Sequence, residues 1–295
     1  MIRRNLNLRG TWTKLKRGVA LSVPGLLLLW GASFCRAAAQ TESASTASIG
    51  QGKTVMVDAW FNSQQRMNAA GQKVYFHYKW DDTSETGFSL LGQIFHRYGA
   101  KTDTLYTAPT VKKLNAAQIY IIASPDIPAK NPHPHYVQPR DAQQVAKWVK
   151  QGGVLVLMEN DPANADIDHL NLLAQYFGIH FNDVLSHHVI GHQIESGRIP
   201  VSGEGPVFHH PHTLYMKDTC TLSVERPAVP LLTDKGQIVM ASAKYGKGTV
   251  FAVVDPWLYN EYTNGRNLPA QYDNYAAGEE WARWLLEQAP DYSGN

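Results

Sequence analysis

Cysteine is nearly absent from this chain: Cys35 and Cys220 are the only two in 295 residues. Two thiols that far apart leave no room for a disulfide framework. HExxH, the helical zinc-protease signature, does not occur, and neither does the GxSxG elbow of serine hydrolases. No apolar run approaches the ~20 residues that a membrane-spanning helix needs. Internal repeats and low-complexity blocks are also lacking, which excludes solenoids and arrays. Nothing resembles a cofactor-binding fingerprint, so no cofactor is expected.

The amino terminus is equally informative for what it lacks. Residues 1–39 contain no acid but seven of the 27 basic residues. A basic start is followed by an apolar run from Val19 to Trp30, interrupted by Pro24, and then by Ala37-Ala38-Ala39 before Gln40. This order of basic, short apolar and small residues predicts a signal peptide over 1–39 and an exported, periplasmic or secreted protein. Beyond it stand 20 basic and 25 acidic residues, a formal charge of −5. A nucleic-acid partner is therefore not expected, nor a membrane once the signal is removed. Loss of Cys35 would leave Cys220 as a lone, small apolar residue.

Residues 40–52, rich in Ser, Thr, Ala and Gly, read as a flexible lead-in, and 289–295 as a tail. Between them, 53–288 reads as one α/β domain. Thr54–Ala59, Gln118–Ala123, Val154–Met158, Ile238–Ala243 and Thr249–Val254 are short, nearly continuous apolar runs, the pattern of strands covered on both faces. Helical spacing lies at Ser84–Tyr98, Asp141–Lys150, Ile167–Phe177 and Tyr275–Gln288. Strands alternating with helices imply a mostly parallel sheet sandwiched by helices. Residues 179–232, rich in His, Gly and Pro, read as an irregular β-rich insert.

Open α/β sheets bind ligands at the carboxyl ends of their strands. Asn62 follows the first predicted strand, Asp126 the second, Asn160 and Asp161 the third. Asp255, Trp257, Tyr259, Asn260, Glu261 and Arg266 follow the last. One Asp after a strand is most often a helix N-cap; four polar ends together point to a ligand edge. Aromatic faces with polar rims suit a sugar, amides and carboxylates suit its hydroxyls, and Arg266 suits a uronate carboxylate. Trp80 and His77, in the loop before the first long helix, are candidate pocket walls. Were the protein an enzyme, Asp161, Asp255 and Glu261 could act as acid or base with His77 as partner. The histidine runs at 133–135, 187–192 and 209–212 fit no zinc spacing with a nearby carboxylate, so they are expected as solvated loop residues and no metal is expected.

The runs HYKWDD (77–82), WVKQGGVLVLMEND (148–161), FGIHFND (177–183) and YGKGTVFAVVDPWLYNEYTNGRNLP (245–269) resemble an exported domain that accompanies unsaturated rhamnogalacturonyl hydrolases of glycoside hydrolase families 105 and 88 in pectin-digesting bacteria. The resemblance covers nearly all of 53–288. It implies a class I glutamine-amidotransferase-like, flavodoxin-like sandwich. Amidotransferases carry a cysteine on an elbow after a central strand; here that place holds Ser124-Pro125-Asp126, so amidotransferase chemistry is not expected. Three expectations follow: an accessory protein binding an acidic, rhamnogalacturonan-type oligosaccharide, a glycoside hydrolase or lyase acting on uronate-containing glycans, or a structural module docked onto a partner hydrolase.

Overall fold

The computed structural model describes residues 49–291. The expected signal peptide and most of the lead-in lie outside them. The strands are β1 (Thr54–Asp58), β2 (Gln65–Met67), β3 (Lys73–Tyr75), β4 (Lys101–Leu105), β5 (Ile119–Ala123), β6 (Val154–Met158), β7 (Ile179–Ser186), β8 (Arg198–Val201), β9 (His212–Tyr215), β10 (Thr219–Val224), β11 (Ala228–Asp234), β12 (Gln237–Tyr245) and β13 (Gly248–Val253). The α-helices are α1 (Ser89–Arg97), α2 (Val111–Leu114), α3 (Pro139–Lys150), α4 (Ile167–Ala174), α5 (Asn260–Thr263) and α6 (Asn274–Gln288).

Nine strands form the main sheet in the order β4-β1-β5-β6-β13-β12-β10-β7, with β11 also pairing with β12. From β4 to β13 every pairing is parallel; from β13 onward every pairing is antiparallel. The fold is thus a mixed α/β sheet, largely parallel at its centre and flanked by helices. β5, β6 and β13 are buried at every residue, which is why their sequences show no polar alternation. Helices α1 and α6 pack on each other, as do α3 and α4.

All five strands expected from apolar runs form, with ends displaced by two residues at most. Three expectations change. β12 is continuous in apolarity yet antiparallel to its neighbours, because β11 and β10 cover its outer edge. Residues 179–232 are not simply an insert: β7, β10 and β11 belong to the main sheet, while β8 and β9 form a small two-stranded sheet beside it. The first long helix begins at Ser89 rather than Ser84, since residues 82–88 are held in an irregular loop. The end of the lead-in is also fastened: the Gly50 amide donates to the Tyr98 carbonyl at 2.8 Å, and a Cβ on Gly50 would lie 2.6 Å from the Ala100 nitrogen.

Strand order decides where a ligand could sit. The chain leaves β1 toward β4 on one side and returns to β5 on the other, so a crevice opens beyond the carboxyl ends of β1 and β5. The ends of β1, β5, β6 and β13 lie side by side. The polar strand ends therefore do converge.

Two buried side chains hold the loop over this edge. Lys79, 1 % exposed, donates to Asn62 Oδ1 at 3.0 Å and to the His77 carbonyl at 3.1 Å. Asp58 at the tip of β1 accepts from the amides of Trp60, Phe61 and Asn62 and from the Tyr120 hydroxyl at 2.6 Å. Burial lifts Asp58 to about 6, against the hydrogen bond from Tyr120 and the nearby Lys79 charge. Burial lowers Lys79 to about 8, against the nearby carboxylates of Asp58 and Asp126. Removing the ammonium strands buried acceptors and an uncompensated carboxylate. Lys79→Ala is expected to cost about 3–5 kcal/mol of unfolding free energy, read from urea denaturation; a loss under about 1 kcal/mol, the scale of a surface ion pair, would contradict this role.

Candidate functional site

A cavity of about 210 Å³ opens at the carboxyl edge of the sheet. Its aromatic wall is Tyr78, Tyr259 and Tyr262; its amides are Asn160 and Asn164; its charges are Lys130, Lys217, Asp218 and Glu261, with His77 at the margin. Residues from the loop after β3, the turns after β5 and β6, the β9–β10 connection and the segment after β13 meet here.

The tyrosines form a connected set. The Tyr259 hydroxyl donates to Asp255 Oδ1 at 2.9 Å and lies 3.3 Å from the Tyr78 hydroxyl. Asn160 Nδ2 donates to the same Tyr259 oxygen at 3.3 Å. Tyr78 and Tyr259 rings are stacked with centroids 5.3 Å apart. Spacing explains part of this: Tyr259 caps α5 and Tyr262 follows three residues later on the same face.

The site also holds unusual backbone. His77, Tyr78 and Asp218 line the cavity at φ 66°, 59° and 51°, in the left-handed region that non-glycine residues seldom occupy. Ser124, at φ 45°, takes the turn directly after β5. Such conformations persist only where surrounding contacts over-determine them, and they cluster at ligand sites. Here Lys79 clamps the His77 carbonyl, and Asp82 Oδ2 accepts from the His77 amide at 2.9 Å.

Electrostatics divide the polar groups. Burial, with Lys130 and Lys79 nearby, lowers His77 to about 3, so its imidazole is neutral at ordinary pH. Burial also lowers Lys130. Burial raises Glu261, against the nearby Lys217 charge. Asp255 is wholly buried and lifted to about 7 by that burial, against hydrogen bonds from the Lys217 amide and Tyr259. Glu159 is buried beside Asp166, and neither of its oxygens has a hydrogen-bond partner among the described residues; burial, with Asp166 nearby, pushes its carboxyl well above the usual carboxylate range.

Four of the residues expected from sequence, His77, Asn160, Tyr259 and Glu261, line the cavity. The others serve elsewhere. Asp255 is buried and does not line the cavity; it accepts from the Tyr259 hydroxyl and the Lys217 amide, two residues that do. Asp161 accepts from the Ala163 amide and from Asn164, fixing a turn. Asn62 is a buried link between the Ser124 carbonyl, at 2.8 Å, and Lys79. Asp126 accepts from the Ser63 amide, Gln64 Nε2 and Asn131 Nδ2 at 2.7–2.8 Å. Trp257 is fully buried in the core. Trp80 packs against Phe88 and Phe95 and donates to the Asp103 carbonyl at 2.7 Å, so it is not a pocket wall. Asn260 pins the loop before α1, donating to the carbonyls of Asp82 and Ser84 and accepting from the Leu90 amide. Arg266 is exposed and faces Glu85 at 3.4 Å, in a separate surface groove. Sequence reasoning missed Tyr78 and Tyr262, which lie within runs that carry the resemblance, and Lys130, Asn164, Lys217 and Asp218, which come from loops with no distinguishing pattern.

The histidines are more engaged than their loop setting suggested. His187 is buried, with Nε2 2.9 Å from Asp234 Oδ2. His212 Nδ1 lies 2.6 Å from Asp273 Oδ2, and His188 and His210 meet Asp218 and Glu280. Among the described residues no group of three or more His, Cys, Asp or Glu is placed to hold a metal ion. No helix among them is long and apolar enough to cross a membrane.

No family model matches the chain, and no curated protein matches it either. Solved structures do. The chain is similar to the mmIFT52 N-terminal domain, with 18% identity over 79% of this chain and 96% of that one, at a TM-score of 0.58. It is also similar to two Salmonella typhimurium structures, Cytoplasmic Protein STM1381 from strain LT2 (13% identity, 81% and 100% coverage, TM-score 0.52) and Cytoplasmic Protein STM3548 (16% identity, 81% and 100% coverage, TM-score 0.50). At these identities the likeness concerns the fold alone.

The raised Asp255 makes a signed prediction. Between the ordinary aspartate range and about 7, the folded protein holds a proton that the unfolded chain has released. That contribution to stability is complete at low pH and is lost as pH rises through the folded value. Asp255→Asn has no such slope. Relative to the variant, the wild type should lose on the order of a few kcal/mol between about pH 4 and about pH 8, measured by urea unfolding at both. A difference that stays constant across that range would refute the assignment.

Proposed function

We propose that this protein is an exported carbohydrate-processing accessory protein whose strand-end cavity binds an acidic oligosaccharide. The observation that carries the reading is the composition of the cavity: three tyrosines, two asparagines and two lysines, with Asp218 and Glu261 also on its lining. Tyrosine rings offer flat apolar faces, amides match hydroxyls, and ammonium groups match a uronate carboxylate. Lys130 and Lys217 take the role first expected of Arg266. The resemblance to the domain that accompanies rhamnogalacturonyl hydrolases supports pectin-type chains as the ligand and a hydrolase as the partner. The parallel strands, numbered along the chain, lie across the sheet in the order 2-1-3-4-5, which supports a flavodoxin-like assignment. Among the described residues no thiol lines this cavity, since Cys220 is buried in β10.

A second reading, turnover of the bound glycan, is favoured by one feature. Glu261 lines the cavity with a raised carboxyl, the property of a general acid. His77 is a poor base in this setting, being held neutral to about 3. Asp255 could contribute only by way of the Tyr259 hydroxyl.

Purified protein titrated with oligogalacturonates, followed by thermal shift and by product release, tests both readings. Binding without product is expected. Lys217→Gln should weaken binding roughly tenfold, the scale of a lost charge-assisted hydrogen bond, and Tyr259→Phe should weaken it less. Product that disappears in Glu261→Gln would establish the second reading. Silence in every titration would remove the first.

A further inference from the structure

The cavity is small for the ligand it is proposed to hold. Small-molecule sites usually enclose ~300–1,000 Å³, whereas this one measures about 210 Å³. It does not end in a closed wall. Lys130 also lines a second trough of about 360 Å³, bounded by the β2–β3 hairpin on one side and the loop after β5 on the other. His77 lines the cavity and Gln64 the trough, with Nδ1 and Oε1 3.4 Å apart.

The second trough repeats the cation, amide and ring of the first without its two acids, Asp218 and Glu261. Lys73 offers a cation, Gln65 and Asn131 offer amides, and Tyr75 offers a ring. None of its lining residues is Asp or Glu, although acids outnumber bases in the chain beyond residue 39. Of the carboxylates near Lys130, Asp161 is occupied by Ala163 and Asn164, and Asp126, 1 % exposed, by Ser63, Gln64 and Asn131. The bonds to Asp126 hold the wall of the trough in place before any ligand arrives, which lowers the ordering cost of binding. A repeated set of cation, amide and ring on either side of a shared lysine matches a ligand that is itself a repeat.

We infer that the cavity and the trough are successive subsites for one extended polyuronate chain, with Lys130 shared between two acidic residues of the ligand. The inference rests on the proposed function and adds to it the length and charge periodicity of the ligand. A monomer fills one subsite; a chain of several uronates fills both. Affinity therefore rises with chain length until the trough is occupied, then levels off. Lys73 senses only the longer ligands, whereas Lys217 senses every length.

Calorimetric titration of the purified protein with galacturonate and with its dimer, trimer and tetramer tests this, with the fully methyl-esterified tetramer as the uncharged probe. The tetramer is expected to bind at least about tenfold more tightly than the monomer. Lys73→Gln, on an exposed strand, should cut that tetramer-to-monomer ratio by about fivefold, and the esterified tetramer should bind more weakly than the acid. Equal affinity at all lengths, with Lys73→Gln leaving the ratio untouched, would overturn the two-subsite inference while the single-site reading stands. Equal binding of the ester would overturn the charge recognition on which the subsites rest. Absence of binding by any uronate would overturn the underlying reading and the inference with it.

Discussion

Burying one ammonium group sets the geometry of the whole edge. Lys79 sits at 1 % exposure among Asn62, the His77 carbonyl and the nearby charge of Asp58. A buried cation needs compensating charge and a filled set of acceptors. Meeting that need draws the loop after β3 down onto the ends of β1 and β5. With the loop fixed there, His77 and Tyr78 are held in left-handed backbone and Tyr78 stacks on Tyr259. Asn260 fastens the far end of the same loop to α5. The cavity wall is therefore a consequence of polar bonds buried behind it rather than of the cavity's own side chains.

The network that follows Tyr259 has the same logic. Asp255 is buried and satisfied by one backbone amide and one phenol, so it orients Tyr259 rather than meeting solvent. Tyr259 in turn orders Tyr78 and Asn160. Rings and amides held this way lose little freedom on binding. The lysines at the rim are more exposed to the cavity and supply charge to a surface whose chain, beyond residue 39, is otherwise acidic. Shape comes from the buried groups, and the cavity's charges come from Lys130 and Lys217 beside Asp218 and Glu261.

Much of the fold was legible because buried parallel strands must be apolar throughout, and β1, β5, β6 and β13 read that way. β4 was not legible: Lys101–Leu105 lies at a sheet edge and is polar at all but its last residue, with no apolar run to mark it. β7, β10 and β11 were misread as an insert, since half-exposed antiparallel strands lie there among His- and Pro-rich turns. At the site, the rule that strand ends bind ligands located the edge, and Asn160, Tyr259 and Glu261 followed from it. It could not separate residues that face a ligand from those that support the edge. Asn62, Asp126 and Asp255 are the right chemistry one layer too deep. Trp257 and Trp80 read as loop aromatics, yet tertiary packing buries one and flattens the other against α1. Lys130 and Lys217 come from turns far apart in sequence, and only the folded chain joins them.

The most direct measurement is a crystal structure of the protein with an oligogalacturonate bound. The account predicts ligand density at the carboxyl edge of the sheet, with a uronate carboxylate between Lys130 and Lys217 and a sugar face against the tyrosine wall. Density in the groove beside Arg266, or ligand bound with no contact to either lysine, would contradict it.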